Sequence, residues 1–322
     1  MCGNGIWHVD FDRGHLVEVD ELGATHGRLV RRVAVPRPLL EADVVIACPK
    51  LKTHFLDPIT GAIKLWVGAV RPDTMHRLHR DAVEETVADL LTVTRPDLVV
   101  MDAIVAGEGD GPIANRPRFV GCVLASSDPV ALDVVAGDLA GFDGEAMRFP
   151  RAAARRGVGV GVRARIDLDG TPLAQARTSL APTLQGDWSS RYAVRVIVGE
   201  GVTMAGTLGH FRGFADFWHK DHVWQAITLL RGQPTFMIGR AVDPDFERRL
   251  RQGPYFVLDD VAYAAYKEDP RVVFIPGSPI GNEMMPAIMD ALGVDRAGRA
   301  AERLLKAKSA WRGRRLARSL IR

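Results

Sequence analysis

Cysteine is scarce in this 322-residue chain: Cys2, Cys48 and Cys122 are the only three, and no Cys-x-x-Cys pair occurs. Scattered thiols in odd number exclude a disulfide scaffold and point to a reducing compartment, the cytoplasm. No apolar run reaches the roughly 18–20 residues that a membrane span needs. The opening Met-Cys-Gly-Asn-Gly-Ile-Trp7 is neither basic nor apolar, so no export signal is read there. Several catalytic signatures are also missing. No His-Glu-x-x-His occurs, and neither Ser126 nor Ser278 sits in a Gly-x-Ser-x-Gly elbow. The glycine-rich stretches 199–206 and 276–281 fit neither the dinucleotide fingerprint nor the phosphate-loop pattern.

What is present looks like an ordinary soluble globular protein, with 47% apolar and 25% charged residues. The length suits one large or two medium domains. The net charge of +3 is unevenly spread. From Asp295 onward ten Lys and Arg face two acids, a local balance of +8, which leaves −5 for the first 294 residues. The basic character therefore belongs to the tail, and no specific nucleic-acid partner is expected. In residues 296–322, Leu304, Leu305, Trp311, Leu316, Leu320 and Ile321 are spaced among the basic residues. Such a segment suits an anionic membrane surface or an acidic partner; a solvated tail is the alternative. A homo-oligomer is compatible with all of this.

Taken in order, residues 5–11 and 15–20 alternate as short strands, and Pro38 opens a helical turn over residues 37–43. Residues 44–48 form an apolar run that predicts a buried strand. A lysine-rich loop follows, with Lys50, Lys52, His54 and, past the turns at Asp57-Pro58 and Thr60-Gly61, Lys64. A short buried helix is expected over 62–70. A longer one runs from Asp73 as N-cap to about Thr94, where Arg95-Pro96 ends it. Residues 97–101 predict a strand closed by Asp102, then the loop Gly107-Glu-Gly-Asp-Gly-Pro112, then a strand over 119–125. Asp128 as N-cap and Pro129 at the first helical position open the next helix. Residues 163–169 suggest a short strand, and 171–190, with Pro172 and Pro182 and no period, a linker. Strands are expected at 192–198, 235–238, 255–258 and 272–275, and a helix at 284–292. The fold class is α/β, a mainly parallel sheet covered by helices in residues 1–170, with a second, smaller α/β lobe at 191–295.

In an open parallel sheet, ligands bind off the carboxyl ends of the strands, where the lysine loop is expected. Lys50, Lys52 and Lys64 there can hold a carboxylate or phosphate, and a desolvated lysine can act as a base. His54 can move protons near neutral pH. The carboxylates Asp102, Glu108, Asp110 and Asp128 are expected nearby, to tune those groups, to hold a divalent cation, or to pair with the lysines in a structural network. Ser126 and Ser127, at a helix start, suit an anion. His76 with His79, and His219 with His222 near His210, have a spacing that can bind a transition metal, but surface positions are the better explanation. The chemistry expected is proton transfer on a small anionic metabolite in a Lys/His/Asp cleft, of isomerase, lyase or oxidoreductase type. A binding or assembly protein without activity is the alternative.

A run of motifs gives the chain a family likeness. Leu40-Glu-Ala-Asp-Val-Val-Ile46, Pro49-Lys-Leu-Lys-Thr-His54, Thr60-Gly-Ala-Ile-Lys64, Arg95-Pro-Asp-Leu98 with Asp102, Gly107-Glu-Gly-Asp-Gly-Pro112 and Ala125-Ser-Ser-Asp-Pro-Val-Ala-Leu-Asp133 follow one another in order. In these the chain resembles the DUF362 family, a domain of undefined function. Members usually carry a further βα segment ahead of the part seen here, so the resemblance implies that this segment is largely missing or that the start lies upstream of Met1. Many members also carry 4Fe-4S modules, which would make an iron–sulfur redox protein the family-based alternative. A cluster ordinarily takes four thiolates, so three scattered cysteines would need another ligand or another chain.

Overall fold

A computed structural model describes residues 19–24, 29–30, 32–70, 83–184, 188–202, 206–220, 223–277 and 284–292. The chain is an α/β protein in which parallel strand pairing predominates. It divides into two compact units, residues 1–191 with 202–221, and residues 192–201 with 222–322.

In the first unit, β1 (Val19–Ala24) and β2 (Arg32–Pro36) pair antiparallel as a separate ribbon. Pro38 opens the single turn α1 (Pro38–Glu41), as expected from its fixed φ. β3 (Ile46–Ala47) and β4 (Lys50–Thr53) then run along one edge of β6 (Leu98–Asp110), both parallel to it. Ile46 faces Leu98 and Lys50 faces Asp102 in one register, which then slips so that Lys52 faces Gly107. β5 (Ile59–Thr60) folds back antiparallel on β4, and α2 (Ala62–Leu65) starts immediately after it. β7 (Ala114–Ser126) returns antiparallel along β6, from Asp110 opposite Ala114 to Val99 opposite Ser126. Leu51, Val99, Met101 and Ala103 on one face of this sheet join a core with Ile63 of α2, Leu90 and Leu91 of α3 (Val83–Thr94), Val130 of α4 (Pro129–Leu139) and Ala152 of α5 (Arg148–Arg155).

Several expectations are corrected here. The run 44–48 is not buried throughout: Val44 and Ile46 lie open on the other sheet face. Lys50 and Lys52 stand on a strand rather than a loop, two residues apart and so on the same face. Residues 107–110 of the predicted loop 107–112 are the end of β6, because β7 supplies their backbone partners although Gly-Glu-Gly-Asp gives no apolar signal; only Gly111-Pro112 belong to the turn into β7. Residues 163–169 form a single 3-10 turn at 163–165 and no strand. The expected linker packs on the first unit as far as it is described. It includes α6 (Leu173–Ala176), Thr178 N donates to Leu139 O, and Leu180 is buried. Residues 5–11, most of 15–20, the first part of the helix opened by Asp73, and the tail 296–322 lie outside the described residues.

In the second unit, β8 (Arg195–Val198), β9 (Thr235–Ile238), β10 (Tyr255–Leu258) and β11 (Val273–Ile275) form a wholly parallel sheet in sequential order. β9 and β10 are buried at every position, which is why they read as unbroken apolar runs. α7 (Thr207–Lys220), which leads from β8 toward β9, belongs to the first unit. α8 (Val223–Arg231), α9 (Phe246–Leu250), α10 (Ala264–Glu268) and α11 (Met284–Ala291) belong to the second.

Candidate functional site

The β4–β5 hairpin decides where the site forms. Thr53 pairs with Ile59, and His54 N donates to Pro58 O, so the chain reverses within a few residues. That reversal sets the start of α2 beside the end of β4, and Lys64 reaches back to His54. A four-residue helix has almost no stability of its own. α2 is held from outside instead: Asp133, on α4, accepts hydrogen bonds from Ala62 N (2.7 Å) and Ile63 N (3.0 Å). Gly61 makes room for this contact, since a Cβ there would lie 2.2 Å from Asp133 Oδ1. On the other side, Asp57 accepts from Arg148 N and Phe149 N, both at 3.0 Å, and so fixes the turn against the start of α5.

His54 is buried, 3% exposed, and its two ring nitrogens have distinct roles. Nδ1 accepts a hydrogen bond from Leu56 N at 2.9 Å. Nitrogen that accepts from an amide carries no proton, so a neutral ring bears its proton on Nε2. Nε2 meets Lys64 Nζ in a short hydrogen bond. An ammonium has no lone pair to accept with. The pair is consistent only if Lys64 is the neutral amine and His54 the donor. Electrostatics points the same way. Burial first, and the Lys52 charge after it, bring Lys64 down from 10.5 to about 7, with Asp57 opposing. Burial likewise pushes Asp133 up to about 7 against its two N–H bonds, and Asp57 up to about 6 against those from Phe149 and Arg148.

The other expected residues are distributed differently. Lys50 is paired with Asp102 across β4 and β6 at 2.7 Å, half exposed, and that contact holds the Asp102 carboxyl below its usual range. Glu108 accepts from Ala181 N at 3.0 Å. Asp110 is bound by the Arg191 guanidinium and by Leu184 N. Burial opposes its ionisation, yet Arg191 outweighs this and keeps it below the usual range. Asp128 caps α4 through Val130 N and Ala131 N and also ties down Val160 N. Ser126 Oγ accepts from Asp128 N, and Ser127 is exposed. These acidic side chains thus serve as pairs and caps, the structural alternative to tuning the lysines. Lys52 differs from Lys50: among the described residues no carboxylate pairs with it.

Four residues escaped the sequence reading. Asp133 carries a signal, a carboxylate inside the apolar stretch Pro129-Val-Ala-Leu-Asp-Val-Val. Asp57 looks like any turn residue. Arg191 and Arg212 come from far along the chain. Arg212, on α7 and 1% exposed, lies over the Phe55 ring at 5.4 Å, and that ring is 4.7 Å from His54.

Among the described residues, no three His, Cys, Asp or Glu side chains gather as metal ligands. Cys48 is exposed between β3 and β4, and Cys122 is half-buried on β7; Cys2, His76, His79 and His222 lie outside the described residues. A four-thiolate cluster does not fit the thiols that are described. No described helix is long and apolar enough to cross a membrane.

Residues 2–138 match the family described as "Domain of unknown function (DUF362)". Over this stretch the chain is similar to the DUF362 family. Every member of the His54, Asp57, Lys64 and Asp133 group falls within the matched stretch, whereas Arg191 and Arg212 lie beyond it. A thylakoid-associated protein of Synechocystis sp. is 32% identical over 143 residues, which make up 42% of this chain and 44% of that protein. The matched stretch thus spans less than half of that curated relative. No solved structure gives a significant match.

Proposed function

We propose that the DUF362-like part of this chain is an enzyme that moves a proton on a small anionic substrate. Lys64, a neutral amine near pH 7, takes the proton. His54 holds that amine by donating from Nε2, and Lys52 supplies the fixed positive charge that attracts the anion. The observation that carries this reading is the Leu56 N–H bond to His54 Nδ1, because it fixes which partner of the His54–Lys64 pair holds the proton. A proton acceptor works best when its pKa lies near the working pH, and Lys64 is brought to about 7. Lys50 has no part in it, being paired with Asp102.

The test has two readouts. Small carboxylates and inorganic phosphate are screened for their effect on thermal unfolding, and those that bind are followed by NMR in D2O for solvent deuterium entering a carbon-bound position. Lys52→Met should lose the stabilisation by anions, Lys64→Met should keep it and lose the exchange, and Lys50→Met should keep both. Equal anion stabilisation in wild type and Lys52→Met, or exchange that survives Lys64→Met, would sink the proposal.

A further inference from the structure

We infer that Lys64 is a Schiff-base-forming lysine and that the substrate class is a small 2-oxo acid; this rests on the proton-transfer reading above. Three observations support it. The first is the residue type. Of the 42 basic residues of the chain only seven are lysine, and three of these seven are Lys50, Lys52 and Lys64. Among the described residues ion pairs are mostly made by arginine, as in the Arg191–Asp110 and Arg156–Asp89 pairs, with Lys50–Asp102 the exception. Arginine stays protonated in proteins and lysine does not. The second is the hydrogen-bond direction. The Nζ lone pair is the acceptor of the His54 Nε2 proton, so the resting state already holds the nucleophilic form. The third is Lys52, a cation with no carboxylate partner among the described residues, close enough to lower Lys64. It suits the carboxylate of a 2-oxo acid whose carbonyl carbon meets Nζ.

The step balances without a redox partner. The Lys64 lone pair forms a C–N bond to the carbonyl carbon as the C=O π electrons move to oxygen, which takes a proton to give a carbinolamine. The nitrogen gives up one of its two protons to solvent, balancing the one taken by oxygen. A second proton from solvent lets the hydroxyl leave as water, and the nitrogen lone pair closes a C=N bond that keeps the remaining N–H, which is the iminium. The His54 Nε2–H, no longer met by that lone pair, is placed to hydrogen-bond the departing oxygen while keeping its own proton. The iminium then withdraws electrons from the neighbouring carbon, whose proton passes to solvent water, because the Lys64 lone pair that takes the proton in the unliganded amine is now held in the C=N bond. Among the described residues, His54 bonds Lys64 and the charges of Lys52 and Asp57 act on it through this cycle.

The wild-type protein is incubated near pH 7 with pyruvate or 2-oxoglutarate and sodium borohydride, then mapped by peptide mass spectrometry. With Lys64 at about 7, its neutral fraction exceeds that of an ordinary lysine by roughly a thousandfold. The reduced adduct is expected on Lys64 ahead of the exposed Lys50, with pyruvate or 2-oxoglutarate and not with acetone, which lacks the carboxylate. An adduct spread over Lys50 and other lysines with Lys64 unmodified overturns the inference, as does no adduct at all. Deuterium exchange into the same acids separates the two readings. Exchange without a trapped adduct removes the Schiff base and leaves proton transfer standing. An adduct on Lys64 without exchange keeps the Schiff base and removes proton transfer.

Discussion

Replacing Lys64 with methionine tests the protonation state of the site without any knowledge of a substrate. In the unfolded chain the ammonium has its ordinary value of 10.5, and in the folded protein about 7. Between these two values the unfolded state binds one proton more than the folded state. Stability of the wild type therefore rises with pH in that window, by about 1.4 kcal/mol per pH unit. Below about pH 7 the full cost of a buried ammonium is present, and above 10.5 it is gone. Integrated from about pH 7.5 to 9.5, the gain is about 2 to 3 kcal/mol. Lys64→Met keeps an unbranched chain of similar length and has nothing to titrate. Urea unfolding of both proteins across that window should show the variant ahead at the lower pH, with the wild type closing the gap by this amount. Asp57 at about 6 and Asp133 at about 7 do most of their titration below the window, and both proteins contain them. A gap that stays constant from one end to the other would mean that Lys64 titrates alike folded and unfolded. The neutral-amine assignment would then be wrong.

Two further substitutions test what holds the site in place. Asp133→Asn should destabilise the protein by about 1 to 3 kcal/mol in chemical denaturation, since the amide can accept only through one oxygen while Ala62 N and Ile63 N both donate; no loss would show that the two bonds contribute nothing. Gly61→Ala should cost about 1 to 3 kcal/mol, because its Cβ would meet Asp133 Oδ1 at 2.2 Å; an unchanged unfolding temperature would rule out so tight an approach.

The second unit was easy to read in the sequence because Thr235-Phe-Met-Ile238 and Tyr255-Phe-Val-Leu258 are buried at every position, so burial and composition coincide. The first unit was harder. β6 changes from Leu-Val-Val-Met to Gly-Glu-Gly-Asp halfway along, and only pairing with β7 keeps it extended. Asp128 as N-cap was legible because capping is a local matter of a few residues. The His54–Lys64 pair was visible as two candidates but not as a contact, since it depends on how tightly β5 turns back on β4. The scarcity of lysine among the basic residues was a sequence signal for Lys64, available without coordinates. The functions of Asp57 and Asp133 were hidden, because each acts on backbone N–H groups some 70 to 90 residues away in the chain.

The Asp57 and Asp133 clamps have a consequence for how the site behaves as part of a folded object. The segment from His54 to Lys64 has two-residue and four-residue elements and nothing that would keep it in shape alone. Its geometry is borrowed from α4 and α5, so reactivity and tertiary structure come and go together. Any opening that frees Asp133 from α2 returns Lys64 to water and to ordinary lysine behaviour. The chemical reactivity of this one amine is thereby a local gauge of whether the core of the first unit is assembled.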